Sequence, residues 1–457
     1  MNILILGAGQ VGTTAAYHLA REEANEVTIV DADASKLREI QDRLDVRTVV
    51  GHASFPDVLE RAGAREADMI IALTSSDEVN MIACQIAYTI FQTPTKIARI
   101  RASEYIGAQA LWQQTAIPVD FRISPEELVT EHIEQLIHYP GAFQVLEFAN
   151  GAVRLVGARA HRGGFLVGQQ IKTLKDHIPG VETRIAALYR NGESIIPEGT
   201  TLIQENDEVF FIAARQDIRV VMSEMRKLEN PVRRVVIAGG GNIGFRLASA
   251  LEQTNQVKVI EQNKNRARAI SEQLGKSIVL HGDAADEELL LEENIDSADI
   301  FVALTNSEEA NILSAMVAKQ LGCKKVMALI TRPSYADLVD SGAVDIAISP
   351  QQITIGSLLA HVRRGDVVKV HSLRRGRAEA IEAIAHGTEG DSKVIGRAIE
   401  DISLPAGTSI NAIIRHDKVM QAHHDTVVET DDHVILFITD RRQTDEVERL
   451  FQVNVKF

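Results

Sequence analysis

Asn2-Ile3-Leu4-Ile5-Leu6-Gly7-Ala8-Gly9-Gln10-Val11-Gly12 opens the chain, and its reading decides the fold. The apolar run has strand character, the three glycines follow it as G-x-G-x-x-G, and Val11–Arg21 continues with helical spacing. A strand, a tight glycine turn and a helix in that order cradle phosphate. Gly7 allows the turn, Gly9 lets the backbone approach a pyrophosphate, and Gly12 lets helix and strand pack closely. The free N–H groups and the positive end of the helix favour an anion.

Working outward, apolar runs alternate with helical patterns. Glu26–Val30, Thr48–Val50, Met69–Leu73 and Lys96–Arg101 read as strands. Ala34–Leu44, Phe55–Ala62 and Asp77–Phe91 read as helices. This alternation predicts an α/β fold, a doubly wound parallel sheet of Rossmann type with helices on both faces. Asp31 closes the second strand, 24 residues after Gly7. A carboxylate there accepts hydrogen bonds from both ribose hydroxyls and repels a 2′-phosphate, which points to NAD or an adenine ribonucleotide.

The pattern then repeats. Val235-Val236-Ile237-Ala238-Gly239-Gly240-Gly241-Asn242-Ile243-Gly244 restates the opening, with Glu261 coming 22 residues after Gly239. Gly51-His52-Ala53 returns as Gly282-Asp283-Ala284, Ala67–Thr74 as Ala298–Thr305, and Asp77–Asn80 as Glu308–Asn311, at offsets of 231 or 232. Asp120–Pro125 returns as Asp345–Pro350 at an offset of 225, which also relates Arg190 to Arg415 and Asp207 to Asp432. One duplication of a two-domain unit explains these matches. It predicts Rossmann domains at 1–122 and 232–347, each followed by a small α+β domain, at 141–220 and 366–452, with the joint near Leu228-Glu229-Asn230-Pro231. In the first small domain Ala152–Ala158, Thr183–Leu188, Ser194–Ile196 and Glu208–Ile212 read as short strands.

Leu73-Thr74-Ser75 and Leu304-Thr305-Asn306 follow the fourth strands, where ligands bind; their polar side chains suit either a nucleotide or the cap of the next helix. Arg99 and Arg101 on the fifth strand suit either a phosphate or an ion pair, and Arg332 matches Arg101. Cys84 and Cys323 read as small core residues. His423-His424-Asp425 reads as an exposed loop, because neighbours on a strand point to opposite sides and make a poor metal site. Arg374-Arg375-Gly376-Arg377 reads as a solvated basic loop. No catalytic constellation and no metal site stands out. A net charge of −15 argues against nucleic acid as a partner, and no apolar run is long enough to span a membrane. The N-terminus carries no signal-peptide pattern, which predicts a cytoplasmic protein.

The whole chain resembles the RCK/KTN family, regulators of potassium conductance. The likeness runs through Gly7–Gly12, Ala72-Leu73-Thr74-Ser75-Ser76-Asp77-Glu78-Val79-Asn80-Met81, Glu208-Val209-Phe210-Phe211-Ile212, Gly239–Gly244 and Ser372-Leu373-Arg374-Arg375-Gly376. The resemblance implies a cytoplasmic subunit, peripheral to the membrane, that assembles as a homo-oligomeric ring beneath a potassium-translocating membrane subunit and gates it. It implies NAD(H) binding, with ATP or ADP in some members. Carried over by position, the nucleotide contacts are Gly7, Ala8, Gly9, Gln10, Val11, Asp31, Thr74, Ser75 and Arg99, then Gly239, Gly240, Gly241, Asn242, Ile243 and Glu261, with Gly12 and Gly244 closing the two motifs. Glu261 and Asn306 replace Asp31 and Ser75 in the second copy, so the two sites need not prefer one nucleotide. The alternatives are an NAD-dependent oxidoreductase, which needs a His, Lys or Tyr acid–base beside the nicotinamide, and a scaffold with empty sites.

Overall fold

The computed structural model describes residues 1–21, 25–113, 115–332, 335, 342–362, 366–373, 378–416 and 418–452. Four sheets succeed one another. The first runs β3-β2-β1-β4-β5-β6 and is parallel throughout. Its strands are β1 (Asn2–Leu6), β2 (Glu26–Asp31), β3 (Arg47–Val50), β4 (Met69–Ala72), β5 (Thr95–Arg99) and β6 (Phe121–Ile123). The crossovers carry α1 (Gln10–Leu19), α2 (Ala34–Gln41), α3 (Pro56–Arg61), α4 (Asp77–Ile86) and α5 (Ser103–Gly107). α4 widens into a π-helical turn over Ala87–Phe91 and stops at Gln92, which sits at φ 55. The helix α6 (Pro125–His138) follows.

The central strands are apolar along their whole length because both faces are covered. Ile3, Leu4, Ile5 and Leu6 are fully buried, as are Met69, Ile70, Ile71 and Ala72. Two elements depart from the sequence reading. β5 ends at Arg99, so Arg101 lies beyond the strand, and β6 was not foreseen: three residues are too few to show a period.

The second sheet is antiparallel, in the order β10-β9-β11-β8-β7. It comprises β7 (Ala142–Phe148), β8 (Val153–Arg159), β9 (Thr183–Arg190), β10 (Glu193–Ile195) and β11 (Glu208–Ala214), with α7 (Leu174–His177) and α8 (Ile218–Met225). β7 is the second strand the sequence reading missed.

The third sheet repeats the first as β14-β13-β12-β15-β16-β17. Its strands are β12 (Arg234–Ala238), β13 (Gln256–Glu261), β14 (Ile278–His281), β15 (Ile300–Ala303), β16 (Lys325–Leu329) and β17 (Ile346–Ile348). Its helices include α9 (Asn242–Leu251), α10 (Lys264–Gln273), α11 (Glu287–Glu292) and α12 (Glu308–Gln320). The fourth sheet, β18 (Val367–Leu373), β19 (Ala378–Ile384), β22 (His433–Ile438), β20 (Thr408–Arg415) and β21 (Lys418–Gln421) in spatial order, reproduces the topology of the second.

The chain forms two compact units: Met1–Leu128 with Ile353–Leu358, and Val129–Gln352 with Leu359–Phe457. Within the larger unit the two antiparallel sheets share one core. Leu146, Phe148, Ala187 and Phe210 from one sheet pack with Leu373, Ala412, Ile435 and Phe437 from the other. Polar links cross this joint as well. The Ala149 amide donates to Glu382 Oε2 at 2.9 Å, His371 Nε2 lies 3.2 Å from the Glu147 carbonyl, and Arg184 donates to the Ala422 carbonyl.

Candidate nucleotide sites

Each parallel sheet turns from its first strand into its first helix through three glycines with different duties. Gly7 has φ 104, a region that side chains avoid, and a Cβ there would lie 2.9 Å from the Leu73 carbonyl oxygen. A Cβ on Gly12 would lie 1.9 Å from the Gly7 oxygen. Folding alone therefore demands glycine at both places. Gly9 differs: its backbone is extended at φ −74 and ψ −177, and a Cβ there would meet nothing within 4 Å. The second copy repeats every part of this. Gly239 has φ 102, a Cβ on Gly244 would lie 1.9 Å from the Gly239 oxygen, and a Cβ on Gly241 would meet nothing within 4 Å. The fold thus does not require the middle glycine, whose missing side chain leaves the turn open from outside.

The helix ends agree. Ser76 caps α4, Asn263 caps α10, Asp286 caps α11 and Ser307 caps α12, each through its side chain. α1 and α9 have no side-chain cap and no acidic residue in the first turn. Their first N–H groups, at Gln10, Val11, Asn242 and Ile243, point from an uncapped positive end.

The two acids close over the turns. Asp31 accepts from the Ala8 amide through Oδ2 at 2.6 Å and from the Asp33 amide through Oδ1 at 2.8 Å. Glu261 accepts from the Gly240 amide at 2.9 Å and from the Asn263 amide at 2.7 Å. Each carboxylate oxygen keeps a further lone pair for a sugar hydroxyl. The exchange of Asp31 for Glu261 is matched one residue along the turn. A Cβ on Gly240 would lie 2.4 Å from Ile270 Cδ1 and 3.3 Å from Glu261 Oε2, whereas the first copy has Ala8 at that position and the shorter Asp31 bonded to its amide. Glu261 is also buried, with Arg266 Nη1 3.5 Å away.

Beyond β4 the structure favours the capping role over direct contact. The Thr74 hydroxyl donates to Asn80 Oδ1 at 2.7 Å, and its amide does so at 3.0 Å. Asn80, fully buried, donates onward to the carbonyls of Thr74 and of Arg99. Thr305 and Asn311 repeat the arrangement, the last link going to the Leu329 carbonyl. Asn80 and Asn311 thus tie β4 to β5, and β15 to β16, behind each crevice. Their matched spacing from the glycines was the available signal, and sequence reading gave them no role. Ser75 and Asn306 stand exposed at the tips of these turns.

The arginines are ion-paired. Arg99 Nη2 lies 3.0 Å from Glu126 Oε1, while Arg101 reaches the Ser75 carbonyl and Asp77. Arg332 meets Glu308 and Glu309 but does not stand in the place of Arg101: the Thr331 and Arg332 amides bind Glu308 as those of Arg101 and Ala102 bind Asp77, so Thr331 takes that place. His52 sits beside Ser54 and Phe55, and Asp283 accepts from the Ala285 amide.

In the small domains Arg190 binds the buried Asp207 through two 2.8 Å contacts, and Arg415 binds Asp432 in the same way. These pairs fix the loop ahead of the last strand. His423, His424 and Asp425 lie exposed in a turn, and burial pushes the Cys84 thiol up to about 12 and Cys323 to about 11. The basic run Arg374-Arg375-Gly376-Arg377 lies outside the described residues. Among the described residues, no helix is long and apolar enough to cross a membrane.

Comparison with known proteins follows the same four-part division. The TrkA-N domain model matches residues 3–124 and again 235–350, and the TrkA-C domain model matches 158–226 and 389–452. The chain is 60% identical over 457 residues to the Trk system potassium uptake protein TrkA of Halomonas elongata, covering 100% of both. It is 57% identical to the Vibrio alginolyticus protein of that name, over 99% of each. Among solved structures, the GsuK RCK domain superposes with a TM-score of 0.62 at 17% identity, covering 98% of this chain and 94% of that one. The GsuK channel bound to NAD gives 0.61 at 17% identity, covering 98% and 78%. At that identity these structures share the fold. Doubled domain matches and full-length relatives converge: the chain belongs to the TrkA family of Trk system potassium uptake proteins.

Proposed function

We propose that the chain is the cytoplasmic, nucleotide-binding regulatory subunit of a Trk-type potassium uptake system. It binds NAD(H), or ATP or ADP, at the crevices of its two Rossmann domains, 1–122 and 232–347. It assembles as a ring on the inner face of the membrane and gates a potassium-translocating membrane subunit. The small domains, 141–220 and 366–452, carry the joint between halves. The observation that supports this most directly is the pair of glycines, Gly9 and Gly241, whose missing side chains leave open space at uncapped helix ends. The contacts would be the backbone of Gly7 through Gly12 and Gly239 through Gly244, with Asp31 and Glu261 on the sugars and Ser75 and Arg99 beyond. A channel of the same fold, GsuK, has been solved with NAD bound.

The nucleotide shifts the ring between two packings only as far as it binds them unequally. Shifting a population from 1:99 to 99:1 takes about 5.5 kcal/mol of differential affinity, which two sites per chain repeated around a ring would readily supply. The test is potassium flux through the reconstituted membrane partner, with and without NADH or ATP. Asp31→Ala with Glu261→Ala should abolish both nucleotide binding and its effect on flux. Regulation that persists when binding is gone would refute the reading.

A further inference from the structure

β16 is tied at both ends, and the two ties lie in different parts of the chain. At the crevice end the Leu329 carbonyl accepts from Asn311, whose Oδ1 also receives the Thr305 amide and hydroxyl. At the other end Lys325 donates from Nζ to the Ala142 carbonyl at 3.2 Å. Ala142 opens β7 of the first small domain, so this bond joins the second Rossmann domain to the first half of the chain.

The bend that Lys325 reaches is already held from its own side. Gly141 stands at φ 96, and the Ala142 amide donates back to the Tyr139 carbonyl at 3.0 Å. Arg226, just beyond α8, donates through Nη1 to the Gly141 carbonyl at 3.1 Å and through Nη2 to Glu229. Two successive carbonyls thus take two cations, one from the first half and one from the second.

The parallel sheet does not need this lysine. Met69 pairs with Thr95 as Ile300 pairs with Lys325, so the first copy has threonine in its place. The next residues agree: the Lys96 amide bonds Asp120 as the Val326 amide bonds Asp345. Threonine has neither the reach nor the charge. Lys325 is half-buried, and lost hydration pushes its ammonium pKa down, opposed by the nearby Glu229. A charge drawn out of water onto a neutral carbonyl adds little to stability by itself. What it adds is a link. β16 is bonded to β15 on one side and β17 on the other, and spans about 13 Å from Lys325 to Leu329. A shift of the Thr305 turn that moves Leu329 therefore moves Lys325 with it.

We infer that Lys325 is the positioning residue that conveys a change at the second crevice to the Tyr139–Ala142 bend, and so to the first half. This rests on the nucleotide reading above, although Lys325 itself lies at the far end of its strand from the crevice.

The test is hydrogen exchange of the amides from Tyr139 to Val145 in the full chain, with and without saturating NADH. Every protein carries Gly9→Ala, which leaves the second crevice to report, and calorimetry gives the affinity of each. With Lys325 present, NADH should change exchange at the bend by about threefold or more. Lys325→Met should cut that response below about 1.5-fold and keep the NADH Kd within about threefold. Lys325→Thr, the first copy's own residue, should do the same if methionine disturbs the packing. Arg226→Met should speed exchange with and without NADH and keep the response. NADH binding without a response at the bend, a response that survives both Lys325 substitutions, or one that Arg226→Met also abolishes overturns the inference and spares the nucleotide reading. A wild-type chain that binds no NADH overturns both.

Discussion

Replacing Gly9 by alanine separates the demands of folding from those of a ligand. The backbone there suits any residue, and a Cβ meets nothing within 4 Å. Two small terms then oppose each other. Alanine at a helix N-cap is roughly 0.5–1 kcal/mol worse than glycine. Restricting the unfolded chain returns about 0.4–1 kcal/mol. The free protein should melt within about 2 °C of wild type. Gly12→Ala is the contrast. Its Cβ would sit 1.9 Å from the Gly7 oxygen, against about 3.3 Å for an ordinary carbon–oxygen contact, so the strand and helix must part by more than 1 Å. A cost of about 3 kcal/mol or more follows. In the liganded protein the order reverses. The Gly9→Ala methyl stands between the turn and a pyrophosphate and lengthens one or two charge-assisted hydrogen bonds. At about 1.5–3 kcal/mol for such bonds, Kd should rise roughly 10- to 100-fold. The assay is a thermal melt without ligand beside a calorimetric titration of NADH, repeated for Gly241→Ala. A Gly9→Ala protein that binds nucleotide as tightly as wild type would refute the reasoning, and so would one that melts well below it.

Asn80→Ala removes the partner of two Thr74 donors and of two carbonyls at a fully buried position, and should cost about 2–4 kcal/mol in urea unfolding; Asn311→Ala should match it. Asp207→Asn, breaking a two-pronged bond to Arg190, should cost about 3 kcal/mol, and Asp207→Asn with Arg190→Met less, as a double-mutant cycle will read. Glu252 accepts from the amides of Gly275, Lys276 and Ser277, which hold its carboxyl down at about 2. A carboxylate depressed in the folded state stabilises above the unfolded value near 4.5, and that contribution is lost as pH falls toward 2. Glu252→Gln should therefore be less stable than wild type at pH 7, with the gap closing under acid. Burial holds His371 at about 3 and His132 at about 4, so in the fold neither takes up a proton until the pH nears those values, although both do so in the unfolded chain below about 6.5. Stability should fall as pH drops below about 6.5, and His371→Gln should flatten that slope in melts taken from pH 7 to pH 4.

The parts legible in the sequence were those whose cause is local. The glycine turns announce themselves because Gly7 answers to its own positive φ and Gly12 to the nearby Gly7 carbonyl. The duplication announces itself because a copied chain keeps its spacing. β6 and β7 did not: three residues carry no period, and Ala142–Phe148 alternates too irregularly to show one. The bond from the Ala8 amide to Asp31 and the link from Asn80 to the Arg99 carbonyl were also hidden, since they reach 23 and 19 residues along the chain. Thr74 could be narrowed to a cap or a contact, and only the fold shows its hydroxyl turned inward. Nor could spacing reveal that Arg99 and Arg101, two residues apart, find different carboxylates on different helices.

The two antiparallel sheets complete one another's core through Phe148, Phe210 and Phe437, and both belong to one polypeptide. Their pairing is therefore unimolecular and indifferent to dilution. A protease cut near Leu228–Pro231 would turn the same contact into a bimolecular equilibrium, and the halves would then separate as the solution is thinned.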